Sequence, residues 1–108
     1  MTNEYGAELD RNGYAPSIII NPMLPEGACL VCGRTGYPLQ RHEIFHGPYR
    51  KKSKKYGLWC SICWPCHAEV HQDAELDRIL KRTAQRAAML TYHWDKREFI
   101  KRFGKNYL

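Results

Sequence analysis

Apolar side chains follow three different rhythms along this chain. Up to residue 28 they are sparse and interrupted by Gly6, Gly13, Pro16, Pro22, Pro25 and Gly27, with Ile18 to Ile20 as the one strand-like run. That pattern predicts an extended N-terminal arm over residues 1–28 that wraps the domain surface. From residue 29 the pattern becomes β-like: a turn at Cys29, a strand over 37–45, a basic loop, and a second strand over 56–62, together a hairpin with a long connection. Pro65 suits a first helical position, and residues 66–71 are expected to form one or two helical turns.

The third rhythm is helical. Asp73 is a candidate cap for a segment in which Leu76, Ile79, Leu80, Thr83, Ala84, Ala87 and Ala88 make one apolar face, opposite Asp77, Lys81, Arg82 and Gln85. Asp95 with Glu98 has the capping-box pattern, Phe99, Ile100 and Phe103 supply a buried side, and Gly104 ends the helix. The expected class is α+β: a small metal-stapled hairpin plus helix over 29–71, with two C-terminal helices over 72–108 as scaffold, making one domain over 29–108.

A length of 108 residues suits one compact domain and is too short for two independent cores. With 44% hydrophobic and 26% charged residues the chain reads as folded rather than disordered. No apolar run approaches the ~18 to 20 residues that span a bilayer. No basic leader with an apolar stretch opens the sequence, so the expected location is the cytosol, without membrane association. The net charge of +6 points to a polyanionic partner. Since residues 1–28 hold Glu4, Glu8, Asp10 and Glu26 against Arg11 alone, the positive excess sits further on. It gathers at Arg50, Lys51, Lys52, Lys54 and Lys55, and again at Lys96, Arg97, Lys101, Arg102 and Lys105. Either cluster could equally be a solvated face.

Five cysteines in a chain read as cytosolic suggest metal ligands rather than disulfides. Cys29 and Cys32, followed by Gly33, have the spacing of a knuckle in which backbone amides point at a sulfur. Cys63 and Cys66 repeat it around Pro65, and two such pairs can close a tetrahedral four-sulfur zinc site. Cys60 with Cys63 is an alternative pairing, although Cys60 fits the end of a strand as a small buried side chain.

His67 and His71 are four residues apart on a predicted helix, so both imidazoles can reach a single divalent ion. They could instead join the sulfur cluster in a mixed set. His42 precedes Glu43 in the first predicted strand; a histidine can accept a proton from water, and imidazole and carboxylate can together hold a hard cation. Glu43 could alternatively be the ion-pair partner of Arg41 or Arg50. His46 and His93 have no recurring metal spacing and read as ordinary. These parts suffice for metal-assisted phosphodiester hydrolysis, in which an ion stabilises charge at the scissile phosphate while a histidine activates water.

The order Cys-x-x-Cys, Leu-Gln-Arg-His-Glu-Ile-Phe (39 to 45), Gly-Leu-Trp (57 to 59) and Cys-x-x-Cys-His-x-x-x-His (63 to 71) resembles the zinc-knuckle branch of the HNH endonucleases. Segments 11 to 18 and 103 to 108 are similar to small phage and prophage proteins that look related to RecA-dependent recombination-enhancement nucleases. The resemblance implies a ββα-metal fold, with His67 and His71 at helix positions that bind the catalytic ion. It implies that His42 and Glu43 match a strand dipeptide in which one residue binds metal and the other is the base. Their pKa values and the hardness of Mg²⁺ or Mn²⁺ favour His42 as base and Glu43 as ligand. No asparagine lies between His42 and His67, so Ser53 or a carbonyl near Tyr56 would have to orient the base.

The sequence therefore carries two expectations. One is a metal-dependent DNA endonuclease or nickase with structural Zn²⁺ at Cys29, Cys32, Cys63 and Cys66 and Mg²⁺, Mn²⁺ or another divalent ion at His42, Glu43, His67 and His71. Its basic residues Arg41, Arg50, Lys51, Lys52, Lys54 and Lys55 would follow DNA phosphates, with a recombinase or other phage protein as a possible partner. The other is a non-catalytic zinc-knuckle module that binds nucleic acid, or an adaptor within a phage recombination or packaging complex.

Overall fold

Two five-residue strands, Leu39–Glu43 (β1) and Trp59–Cys63 (β2), pair antiparallel in a register that sets His42 opposite Cys60 and Leu39 opposite Cys63. Alternation along β1 sends Gln40 and His42 to one face and Arg41 and Glu43 to the other. β1 lies inside its predicted strand, whereas β2 begins later than predicted, at Trp59, and runs one residue past the predicted end, to Cys63. The structure is a computed structural model that describes residues 1–108.

The expected basic loop between the strands is a 3-10 turn, Gly47–Tyr49, followed by a helix, Arg50–Lys55 (α1). The run Arg-Lys-Lys-Ser-Lys-Lys has no apolar periodicity to announce a helix. What fixes it is the buried Ser53, whose hydroxyl donates to the Leu58 carbonyl at 2.5 Å and accepts from the Phe45 amide at 3.1 Å.

Three further helices follow: Trp64–Val70 (α2), Ala74–Tyr92 (α3) and Lys96–Phe103 (α4). α2 begins at Trp64, earlier than predicted, with Pro65 as its second residue, whereas the starts of α3 and α4 and the end of α4 are set as the sequence predicts. The Asp73 carboxylate accepts from the amides of Glu75 and Leu76, Asp95 accepts from Glu98, and Gly104 closes α4 at φ 80°. The buried stripe of α3 is rotated from the expected one. Leu80, Ala84 and Ala88 are inside, but Ile79 and Thr83 are exposed while Gln85 is fully buried. Gln85 is accommodated by the C-terminal tail: its Nε2 donates to Asn106 Oδ1 and its Oε1 accepts from the Tyr107 amide, both at 2.8 Å. Ile100, expected inside, is also exposed.

The core joins the hairpin to the last helix. Phe45, just past β1, packs on Phe103, Phe99 and Tyr107 at ring separations of 4.8, 5.5 and 5.4 Å. Ile44, Leu58, Ile62 and Val70 complete it beneath α2. Phe99 and Phe103 thus pack α4 against the end of the hairpin.

The N-terminal arm lies along this body. Ile18 to Ile20 form no strand; instead the Ala15 and Ile18 amides donate to the carbonyls of Lys54 and Gly57, and Ala15 and Ile19 are buried. Gly57 permits the approach: at φ +72° a Cβ there would meet the Pro16 carbonyl oxygen at 2.3 Å. No helix is long and apolar enough to cross a membrane.

Candidate metal centres

The hairpin brings the two cysteine pairs together. The sulfurs of Cys29, Cys32, Cys63 and Cys66 all lie within 4.8 Å of one another, and Cys32 and Cys63 are 3.7 Å apart. Four thiolates about 2.3 Å from one tetrahedral ion would stand about 3.8 Å apart, so the cluster fits zinc. Burial pushes the Cys29 thiol up, but hydrogen bonds from the amides of Cys32, Cys63 and Val31 outweigh it and bring the group down to about 7. Cys60 stands apart: buried in β2 opposite His42, its thiol is pushed up to about 12 by desolvation and stays protonated.

A second group forms on the other side of the hairpin. One ring nitrogen from each of His42, His67 and His71 can lie within 4.8 Å of the other two, and no cysteine belongs to this set. His42 comes from the inner face of β1, whereas His67 and His71 come from α2 and its C-cap. The three ring centroids are separated by 5.3, 5.6 and 5.0 Å. His42 is only 3% exposed, and its Nε2 is buried without any hydrogen-bond partner. An orphaned lone pair costs free energy unless something occupies it, and a cation shared with two more imidazoles is such an occupant. Desolvation, then the neighbouring His67, His71 and His46, hold His42 down to about 4, so the ring is neutral and able to ligate near pH 7. Burial likewise lowers His67.

Glu43 is not brought into this group. Strand alternation turns it to the opposite face, where its carboxylate takes the Arg50 Nε at 2.5 Å. Burial raises this carboxyl, but Arg50 and Tyr14 more than reverse the effect. The expected joining of Glu43 to His42, His67 and His71 is therefore not met: the group that could hold an ion consists of the three imidazoles. Neither expected orienting group serves His42: the Ser53 hydroxyl spans Phe45 and Leu58, and the Tyr56 carbonyl accepts from the Tyr92 hydroxyl.

Three neighbours escaped the sequence reading. Gln40 Oε1 lies 2.7 Å from His67 Nδ1. His46, read as ordinary, stands at the rim, its ring 6.3 Å from that of His42 and 6.2 Å from that of His71, with Nε2 3.5 Å from Asp77 Oδ1. The i, i+2 relation of Gln40 to His42 on one strand face was a usable signal; the meeting of His46 with α3 had none. His93 is the ordinary residue expected, closing α3 in the left-handed conformation at φ 59°.

The basic residues are unequally engaged. Arg41 pairs with Asp10 at 3.0 Å and stacks on Tyr14, Arg50 is tied to Glu43, and Lys55 reaches Glu4. Lys52 donates to the Arg102 carbonyl and Lys54 lies over Tyr14, while Lys51 has no acidic partner and is exposed. No protein family, no curated protein and no solved structure matches this chain, so the two centres rest on their own geometry.

Proposed function

We propose that the protein is a metal-dependent DNA nuclease that hydrolyses phosphodiester bonds at the His42, His67 and His71 site, with zinc in the four-cysteine cluster holding the fold. The observation that carries this reading is the convergence of three imidazoles, one of them buried with an unpartnered nitrogen, separate from the sulfur cluster. A divalent ion there would supply charge stabilisation at a scissile phosphate and its leaving oxygen. Without Glu43 the donor set is all nitrogen, which shifts the preferred ion from Mg²⁺ towards Mn²⁺, Co²⁺, Ni²⁺ or Zn²⁺. His46, at the rim and beside Asp77, would take the proton from an attacking water. The cations of α1 begin four residues after His46 and would lie along the adjoining phosphates.

The test is plasmid nicking by protein that carries one equivalent of zinc and no other metal. Addition of Mn²⁺ or Co²⁺ should start nicking. His42→Ala should lose it while keeping DNA affinity, zinc and helix content. A second reading, the non-catalytic nucleic-acid module, draws support from Glu43, whose capture by Arg50 leaves the strand without a free carboxylate beside His42. Metal-loaded protein that binds DNA and never nicks it would establish that module instead.

A further inference from the structure

Trp64 opens α2 between two ligands of the sulfur cluster. Cys63 and Cys66 are buried on either side of it, yet the Trp64 side chain is 59% exposed. The other indoles are engaged: Trp59 donates to the Ala15 carbonyl, and the buried Trp94 donates to the Tyr5 hydroxyl. Residues 64, 67 and 71 share one side of a helix, so the Trp64 indole stands one turn from His67 on the face that carries the imidazoles. Tyr37 is 44% exposed and lies two residues before Leu39, the strand partner of Cys63, so a second ring occupies the same end of the hairpin.

An exposed aromatic fixed in this way is a stacking platform. Two cysteines committed to one cluster and the ring of Pro65 hold the backbone of Trp64, so little freedom remains to be lost when a ligand settles on the indole. Every nucleobase has a π-face, and base–aromatic stacking needs no sequence match. Inside a regular duplex those faces are covered by neighbouring base pairs; an unpaired nucleotide leaves one open. The chain's net charge of +6 suits the accompanying phosphates.

We infer that Trp64 stacks on an unpaired nucleobase next to the phosphate held at the imidazole site, so that the favoured ligand is single-stranded or locally unpaired DNA. This rests on the reading of that face as a DNA site, but not on hydrolysis there. The experiment titrates the zinc-loaded full chain with short oligo(dT) and with a duplex of equal length, by fluorescence anisotropy and by tryptophan emission. Oligo(dT) should bind more tightly than duplex and quench the emission. Trp64→Ala should lose at least about fivefold in oligo(dT) affinity with zinc content unchanged, whereas Trp64→Phe should bind within about twofold of wild type and lose the quench. Equal binding by wild type and Trp64→Ala, an undiminished quench in Trp64→Phe, or tighter duplex binding would each overturn the inference. Should Trp64→Ala fail to fold, Trp64→Phe and the duplex comparison decide it. Protein that never nicks yet shows Trp64-dependent binding would refute hydrolysis alone; nicking with Trp64-independent binding would refute stacking alone.

Discussion

Nδ1 of His67 lies 2.7 Å from Oε1 of Gln40, and because an amide oxygen only accepts, the ring proton sits on Nδ1 and the free lone pair on Nε2. Gln40 and His42 are two apart on one face of β1, so a single strand supplies one imidazole and sets the tautomer of another.

Gln40→Ala is therefore expected to weaken Mn²⁺ or Co²⁺ binding at the imidazole site by about tenfold, the low end of what outer hydrogen-bond partners contribute. Isothermal titration of zinc-loaded protein measures it. An unchanged dissociation constant would show that Gln40 leaves His67 free to reorient.

What could be read from the sequence was what depends on local spacing. The Cys-x-x-Cys pairs, the caps at Asp73 and Asp95, and the separation of His67 from His71 each involve residues within a helical turn, so the physics that fixes them is written locally. Gln85 is buried because the tail, some twenty residues on, offers it partners. His46 meets Asp77 only after α3 docks. Each depends on packing between distant segments, which periodicity does not encode.

The two centres should separate by their effect on folding. Cys29→Ser or zinc removal should abolish a cooperative melt followed by circular dichroism, since a structural zinc site contributes on the order of 10 kcal/mol to a small domain. His71→Ala, altering an exposed C-cap residue, should move the midpoint little and leave one equivalent of zinc bound. If His71→Ala unfolds the protein and Cys29→Ser does not, the structural and open sites have been assigned the wrong way round.

Glu4 fastens the N-terminal arm to the body. Its carboxylate accepts from the Tyr56 hydroxyl at 2.6 Å and from Arg102 at 3.2 Å, and pairs with Lys55 at 3.4 Å. Partial burial raises this group, but those partners, Tyr56 foremost, bring it from 4.5 down to about 2. A folded-state value below the unfolded one stabilises above about pH 4.5 and loses that contribution as the pH falls towards 2. The side chain is 43% exposed, so the solvent-screened effect is about 1 kcal/mol at most. Thermal melts of wild type and Glu4→Gln should differ at neutral pH and converge in acid; parallel curves across that range would show that the carboxylate's charge does not hold the arm.

The last expectation concerns which cations meet DNA. Arg41 is held by Asp10 and lies over the rings of Tyr14 at 4.4 Å and Trp59 at 4.8 Å, so moving to a phosphate would break contacts it already has. Lys51 has no acidic partner, Lys52 meets only a neutral carbonyl and the Tyr49 ring, and Lys54 only a ring face. Each phosphate neutralised contributes about 0.7 to 0.9 to the slope of log affinity against log salt. Replacing Lys51, Lys52 and Lys54 together by alanine should flatten that slope by about two to three, whereas Arg41→Ala should change it by less than one. Anisotropy titrations of labelled DNA over a series of salt concentrations measure both. The larger change falling on Arg41→Ala would mean that DNA displaces Asp10 and takes the outer face of β1.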